Sequence, residues 1–210
     1  MMAQEDKILQ ETPSQTAGPY VHTGLAPWAI GLDVFKTNIG AEIAGPKSKG
    51  RRITVSGRII DGADDLVRDA LIEVWQANSN GIYRHVEDPK FGELEKDFRG
   101  WGRAWTNFET GKWFFQTVKP GPIKDRDGVV HAPHLNIWIV ARGINIGLST
   151  RIYFADETDA NAKDPVLNMI LPEQRRQTLL AKYRDEKLKT NDYVVDIALQ
   201  GDHETVFLNT

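Results

Sequence analysis

Arg52-Ile53-Thr54-Val55-Ser56-Gly57-Arg58-Ile59-Ile60 alternates in character at nearly every step. Ile53, Val55, Gly57 and Ile59 fall on one face and Arg52, Thr54, Ser56 and Arg58 on the other, the period of a half-buried strand. The same reading covers Leu71–Trp75, Lys112–Val118, His134–Ala141, Arg151–Phe154, Tyr193–Leu199 and Thr205–Leu208. Turn residues stand between these runs: Asp61-Gly62, Asn80-Gly81, Thr110-Gly111, Pro120-Gly121-Pro122 and Asp127-Gly128. Many short strands punctuated in this way predict a mainly β fold, an antiparallel β-sandwich.

Helix signals are confined to short pieces. Pro172-Glu173 opening Gln174–Tyr183, with Lys182 and Arg184 at its far end, predicts one helix with the charge distribution its dipole favours. Asp164-Pro165 predicts a shorter turn, and Ile30–Phe35 a single helical turn. The stretch from Ala26 to Gly50 has little periodicity and reads as an extended arm. The expected division is an N-terminal arm and loop over residues 1–50 and a β-sandwich over 51–210, forming one structural unit.

Composition narrows the class. The chain has 210 residues, 40% hydrophobic and 26% charged, with 26 Lys+Arg against 29 Asp+Glu for a net charge of −3. That length suits one domain with its own core. A near-neutral charge spread along the chain leaves no footprint for nucleic acid or an anionic membrane. Without cysteine there is no disulfide frame, thiolate metal site or cysteine nucleophile. The first twenty residues hold no signal-peptide core, and no apolar run approaches the roughly 20 residues of a membrane span. The default expectation is a cytoplasmic globular protein.

Standard catalytic patterns are missing: no Gly-x-Ser-x-Gly elbow, no phosphate loop and no Gly-x-Gly-x-x-Gly. Gly100-Trp101-Gly102 is a two-glycine fragment that lies between expected strands, which argues against a phosphate-binding role. The histidines are His22, His85, His131, His134 and His203. None stands at the His-x-His or His-x-x-x-His spacing that places two imidazoles on one face of a strand or helix. Trp75, Trp105, Trp113 and Trp138 read as core aromatics. Composition and spacing alone leave a soluble β-sandwich of open function.

Longer segments carry more. Leu71-Ile72-Glu73-Val74-Trp75-Gln76-Ala77-Asn78 followed by Gly81-Ile82-Tyr83 resembles the signature of the intradiol ring-cleaving dioxygenases. Phe98-Arg99-Gly100-Trp101-Gly102-Arg103, Thr117-Val118-Lys119-Pro120-Gly121-Pro122 and Ala132-Pro133-His134-Leu135-Asn136 extend the resemblance in the same order. Glu11-Thr12-Pro13-Ser14-Gln15-Thr16-Ala17-Gly18-Pro19-Tyr20 is similar to the opening of the metal-free alpha chains in two-chain members of the family. So are Ala141-Arg142-Gly143-Ile144-Asn145-Ile146, Asp156-Glu157 and Ala160 to Leu167, and the likeness runs from about residue 10 to 208.

In iron-carrying chains of that family, Fe(III) is held by two tyrosines and two histidines. Ferric iron is a hard cation, and only a strong Lewis acid keeps a phenol of ordinary pKa near 10 deprotonated at neutral pH. By resemblance Tyr83 stands at the first tyrosine position and His134 at the first histidine position. Ile123 stands at the second tyrosine position and Asn136 at the second histidine position, so two of the four ligands are lost. The resemblance therefore implies a chain that holds no iron of its own and pairs with a beta chain that does, in a higher hetero-oligomer of alpha–beta units.

It further implies that Thr16, Gly18, Pro19 and Tyr20 reach toward the partner's iron, and that Arg142 lies at the pocket mouth. The implied substrates are 3,4-dihydroxybenzoate and O₂, with cleavage between the hydroxylated carbons to 3-carboxy-cis,cis-muconate. These residue types suit that role. Tyr20 offers a donor and an aromatic face, Gly18-Pro19 allows close backbone approach, and Arg142 can bind or attract a carboxylate. Arg151 and Arg103 are set aside as weaker candidates. The rival expectation is a non-catalytic binding or assembly module that keeps Tyr83 and His134 as structure. A third is a self-sufficient enzyme using Tyr83, His134 and His131.

Overall fold

The computed structural model describes residues 10–209 except 38, 186 and 189. Its strands are β1 (Arg52–Ile60), β2 (Leu71–Trp75), β3 (Trp101–Trp105), β4 (Lys112–Val118), β5 (Ile123–Lys124), β6 (Val130–His131), β7 (His134–Val140), β8 (Leu148–Phe154), β9 (Leu180–Tyr183), β10 (Asp192–Val194) and β11 (Ile197–Ala198). Three short helices accompany them: α1 (Val21–Leu25), α2 (Thr158–Asn161) and α3 (Pro165–Met169). Among the described residues no helix is long and apolar enough to cross a membrane.

The main sheet runs β11-β1-β10-β9-β8-β7-β2-β3, with β4 paired to the other side of β1. β3 and β4 lie against each other, so the sheet curls around its own core. β9 pairs with β8 on one side and β10 on the other and so joins the two layers. The alternation that marks β1 in the sequence is the alternation that fills the interior. Ile53, Val55 and Ile59 pack there with Ile72, Val74, Trp113, Phe115, Leu135, Ile137 and Ile139. A fully buried aliphatic side chain contributes about 1.5–3 kcal/mol, so this cluster is the main source of the fold's stability.

The sheet is mixed rather than purely antiparallel, which refines the sequence expectation. β1 runs parallel to β10 and β11, and β8 runs parallel to β9. A parallel pair needs a long crossover. The segment from Phe154 to Leu180, with α2, α3 and a run of 3-10 turns, provides it for β8 and β9.

That crossover also corrects the expected helix over Gln174–Tyr183. Glu173–Leu179 forms 3-10 turns and Leu180–Tyr183 enters the sheet as β9. Only Leu179 in the turn segment is buried, so no apolar stripe holds a longer helix against the core. The hydroxyl of Thr178 donates to the carbonyl of Arg175 at 2.8 Å, a local bond that competes with helical continuation. The turn expected at Ile30–Phe35 falls earlier, as α1 and a 3-10 turn at Pro27–Ile30. Thr205–Leu208 is extended but outside the ladders, tied by single bonds from Thr205 N to Ala198 O and Leu208 N to Ser149 O. Tyr193–Leu199 is interrupted between β10 and β11, where Asp196 turns to pair with Arg58 at 2.6 Å.

Candidate functional site

The positions that the family resemblance singles out fall into two groups. The first forms where β2, the Pro120-Gly121-Pro122 loop and the start of β7 converge. Beyond Trp75, the Asn78 side chain accepts hydrogen bonds from Asn80 N and Ile82 N, which curls the backbone and delivers Tyr83 beside the strand it just left. The Tyr83 ring stacks on Trp75 with centroids 5.8 Å apart and planes 5° from parallel. Gly121 N donates to Asn78 O and fastens the proline loop to the same turn, which brings Ile123 alongside.

Gly81 makes that junction possible. Its φ is +74°, and an added Cβ would lie 2.0 Å from the Pro122 carbonyl oxygen. Gly81→Ala is therefore expected to lose about 2–4 kcal/mol, from left-handed backbone strain together with displacement of the loop. Urea unfolding measures it, and a loss under about 0.5 kcal/mol would mean the loop is not held there.

In β7, period 2 sets His134 and Asn136 on one face. The amide nitrogen of Asn136 donates to the Tyr83 hydroxyl at 2.9 Å and to the Trp75 carbonyl at 3.2 Å. His134 Nδ1 lies 2.7 Å from the Ala132 carbonyl, which can only accept, so Nδ1 carries the proton and Nε2 is the acceptor. Burial and the Arg151 charge push the His134 pKa down to about 4, so the ring is neutral at pH 7. Burial likewise pushes the Tyr83 phenol up and keeps it protonated.

These residues do not fit a ferric ion. Ile123 has no donor atom, and Asn136 presents its NH₂ rather than its oxygen to Tyr83. The Tyr83 hydroxyl already accepts from Asn136, and Arg151 adds positive charge on the same wall. Among the described residues no group of three His, Cys, Asp or Glu side chains stands together as a metal site. His131, the remaining candidate ligand, has its ring centroid 6.2 Å from that of His134. Its Nδ1 accepts from Arg151 at 3.4 Å, which leaves Nε2 to donate to Asp125 at 3.2 Å. The carboxyl of Asp125 is held below its ordinary pKa by the Val129 backbone N–H and by His131.

The second group lies on the arm. The Thr16 hydroxyl accepts from Gly143 N at 2.8 Å and shares its one proton between Ala17 O at 3.0 Å and Ala141 O at 3.2 Å, so it fastens the arm beside Arg142. Pro19 and Arg142 line one cleft of about 600 Å³ with Asp69 and Phe108. Arg142 pairs with Asp69 at 3.2 Å. Tyr20, just before α1, is 78% exposed. A Cβ added to Gly18 would meet nothing within 4 Å, so nothing in this chain requires glycine there. The structure thus joins Thr16, Pro19 and Arg142, keeps Gly18 and Tyr20 on the same exposed turn of chain, and gathers Tyr83, Ile123, His134 and Asn136 elsewhere.

Arg103, set aside in the sequence, is a structural anchor bonded to Glu73 at 2.9 and 2.6 Å and to the Leu25 carbonyl at 2.7 Å. Arg151, also set aside, sits directly across the ladder from Asn136 and lines the cavity beside Tyr83 and His134. Only the strand register reveals that, and register is a long-range property.

A family model described as "Dioxygenase" matches residues 33–201. The chain is 49% identical over 203 residues to the protocatechuate 3,4-dioxygenase alpha chain of Pseudomonas putida, covering 97% of this chain and 98% of that one. It is 33% identical over 157 residues to the protocatechuate 3,4-dioxygenase beta chain of Burkholderia cepacia, covering 72% of this chain and 66% of that one. Among solved structures, the intradiol ring-cleavage dioxygenase from Tetranychus urticae has the same fold, with a TM-score of 0.57 and 19% identity over 94% of this chain and 98% of that one.

Proposed function

This chain belongs to the intradiol ring-cleaving dioxygenases, and from that premise we propose that it is the iron-free alpha subunit of a protocatechuate 3,4-dioxygenase. The observation that carries the reading is the bond from Asn136 Nδ2 to the Tyr83 hydroxyl. It closes off one surviving ligand position with the residue that replaces another, while Ile123 empties a third of any donor. The Fe(III) then belongs to a beta chain, and the assembly is a hetero-oligomer of alpha–beta units.

This chain's own share is substrate orientation, pocket wall and assembly surface. The substrate is 3,4-dihydroxybenzoate, a planar ring with a carboxylate opposite the diol. The Thr16 bond to Gly143 holds the arm beside Arg142, so that Gly18, Pro19 and Tyr20 present an exposed, aromatic-bearing edge near a guanidinium. A guanidinium attracts the carboxylate at long range and binds it in two-point fashion at contact. The complex takes up both atoms of O₂ and opens the ring between the hydroxylated carbons, giving 3-carboxy-cis,cis-muconate.

The test is iron content, visible absorbance and O₂ uptake for the chain alone and after assembly with its candidate beta chain. The expected result is colourless, iron-free protein alone and a red-brown complex that consumes O₂ with protocatechuate. Stoichiometric iron with phenolate charge-transfer colour in the lone chain would overturn the reading. A stable complex with no ring cleavage would favour the assembly module instead.

A further inference from the structure

We propose that Asp69 is a positioning residue, whose carboxylate holds the Arg142 guanidinium where it meets the carboxylate of the substrate. The inference rests on the reading of Arg142 given above and adds what sets that side chain's direction. Arg142 stands in the turn after β7, with 66% of its side chain exposed. An arginine so placed has several rotamers open to it, and a ligand that binds it must first select one. Asp69 is the fixed member of the pair: 16% of its side chain is exposed, and its Oδ2 lies 3.2 Å from Nη2 of Arg142. Held through one terminal nitrogen, the guanidinium keeps Nε and its other Nη for two-point donation to a carboxylate.

The chain fixes Asp69 from both sides. Arg68 donates to the carbonyls of Phe108 and Glu109 at 3.3 and 3.0 Å. Ala70 N donates to the Thr106 hydroxyl and Thr106 N to the Ala70 carbonyl, both at 3.0 Å. The same loop carries the arm, because Phe108 meets the ring of His22 in α1 edge-on with centroids 4.8 Å apart. Residues 106–109 are thus the common reference for Asp69 and for the arm that bears Tyr20. The other charged residues of the cleft are engaged elsewhere. Arg68 is spent on the two carbonyls, and Asp61 accepts from Ala63 N at 2.8 Å and Asp65 N at 3.0 Å. Among the described residues that leaves Asp69 and Arg142 for each other. The Asp69 charge also repels a bound carboxylate, but in a cleft open to water that repulsion is screened, whereas confinement of a rotamer is not.

The experiment is an anaerobic titration of the assembled enzyme with protocatechuate, beside steady-state kinetics, for Asp69→Ala, Arg142→Ala and the double variant. Asp69→Ala is expected to raise Kd and KM about threefold to tenfold with kcat little changed, and to leave catechol, which has no carboxylate, unaffected. In the Arg142→Ala background the same substitution is expected to add nothing, the signature of a residue that acts through another. Asp69→Glu, which returns a carboxylate, is expected to recover most of the affinity, and Asp69→Asn takes the place of alanine if that variant does not assemble. An unchanged or lowered Kd in Asp69→Ala would overturn the inference, as would an equal loss for catechol or an undiminished loss in the double variant. Parent values of Kd and KM in Arg142→Ala would overturn the reading of Arg142 itself, and the inference with it.

Discussion

Replacing Asp164 with alanine is expected to destabilise the chain by about 3–5 kcal/mol, which for a chain of this size lowers the thermal midpoint by on the order of 10 °C. The carboxylate is fully buried and serves four donors at once. Oδ1 accepts from Val166 N and Leu167 N at 2.9 Å and from the Tyr153 hydroxyl at 3.1 Å, and Oδ2 accepts from Ala132 N at 2.9 Å. Two of these bonds cap α3, an arrangement typically worth about 1 kcal/mol. The other two tie the crossover to β8 and to the residue whose carbonyl orients His134. Alanine leaves every one of those donors in a dry environment, where each unsatisfied group costs about 1–3 kcal/mol before relaxation. Asp164→Asn keeps one acceptor oxygen and is expected to lose about half as much. Urea unfolding at constant m-value decides it, and an Asp164→Ala loss under about 1 kcal/mol would mean water or a neighbour replaces the carboxylate.

That residue also marks where sequence reading runs out. Asp164-Pro165 announces a turn, and α3 starts there. Nothing in the local pattern says that the same side chain reaches Ala132, thirty-two positions earlier. The strands whose pairing is local or whose alternation is strong were legible: β1, β2 and β4 have the bounds their periodicity predicts, and β7 is one residue shorter. The parallel pairings were not, because alternation gives a strand's faces and says nothing of its neighbour's direction. β9 was hidden for a related reason, since Leu180–Tyr183 owes its conformation to β8 and β10 rather than to its own composition. At the site, the shared face of His134 and Asn136 follows from period 2. The pairing of Asn136 with Arg151, and of Thr16 with Gly143 across 127 positions, follows only from the folded register. Thr16 and Arg142 were singled out through the family resemblance, and no periodicity would have found them.

In the assembled enzyme, Arg142→Ala is expected to raise KM for protocatechuate about tenfold or more, with kcat little changed and the thermal midpoint unmoved. The two halves of that expectation come from different observations. Arg142 has a side chain 66% exposed and meets Asp69 at 3.2 Å, and such an exposed pair contributes at most about 1 kcal/mol to folding. A charge-assisted bond to the substrate carboxylate is worth about 1.5–3 kcal/mol, equivalent to ten- to a hundredfold in affinity. Because the carboxylate sits opposite the bonds that change, its attraction is the same in ground and transition states, and its loss appears in KM. The KM of the parent enzyme should rise with ionic strength and that of the variant should rise less. Catechol, which lacks the carboxylate, should feel the substitution hardly at all. Tyr20→Ala should also raise KM, and for both substrates, because the ring offers its face as well as its hydroxyl. Thr16→Val should produce a smaller version of both effects, since it frees the arm from Gly143 without touching either side chain. If Arg142→Ala and Tyr20→Ala instead weaken the assembly while the remaining folded enzyme keeps its parent KM, these residues belong to the subunit interface and not to the pocket.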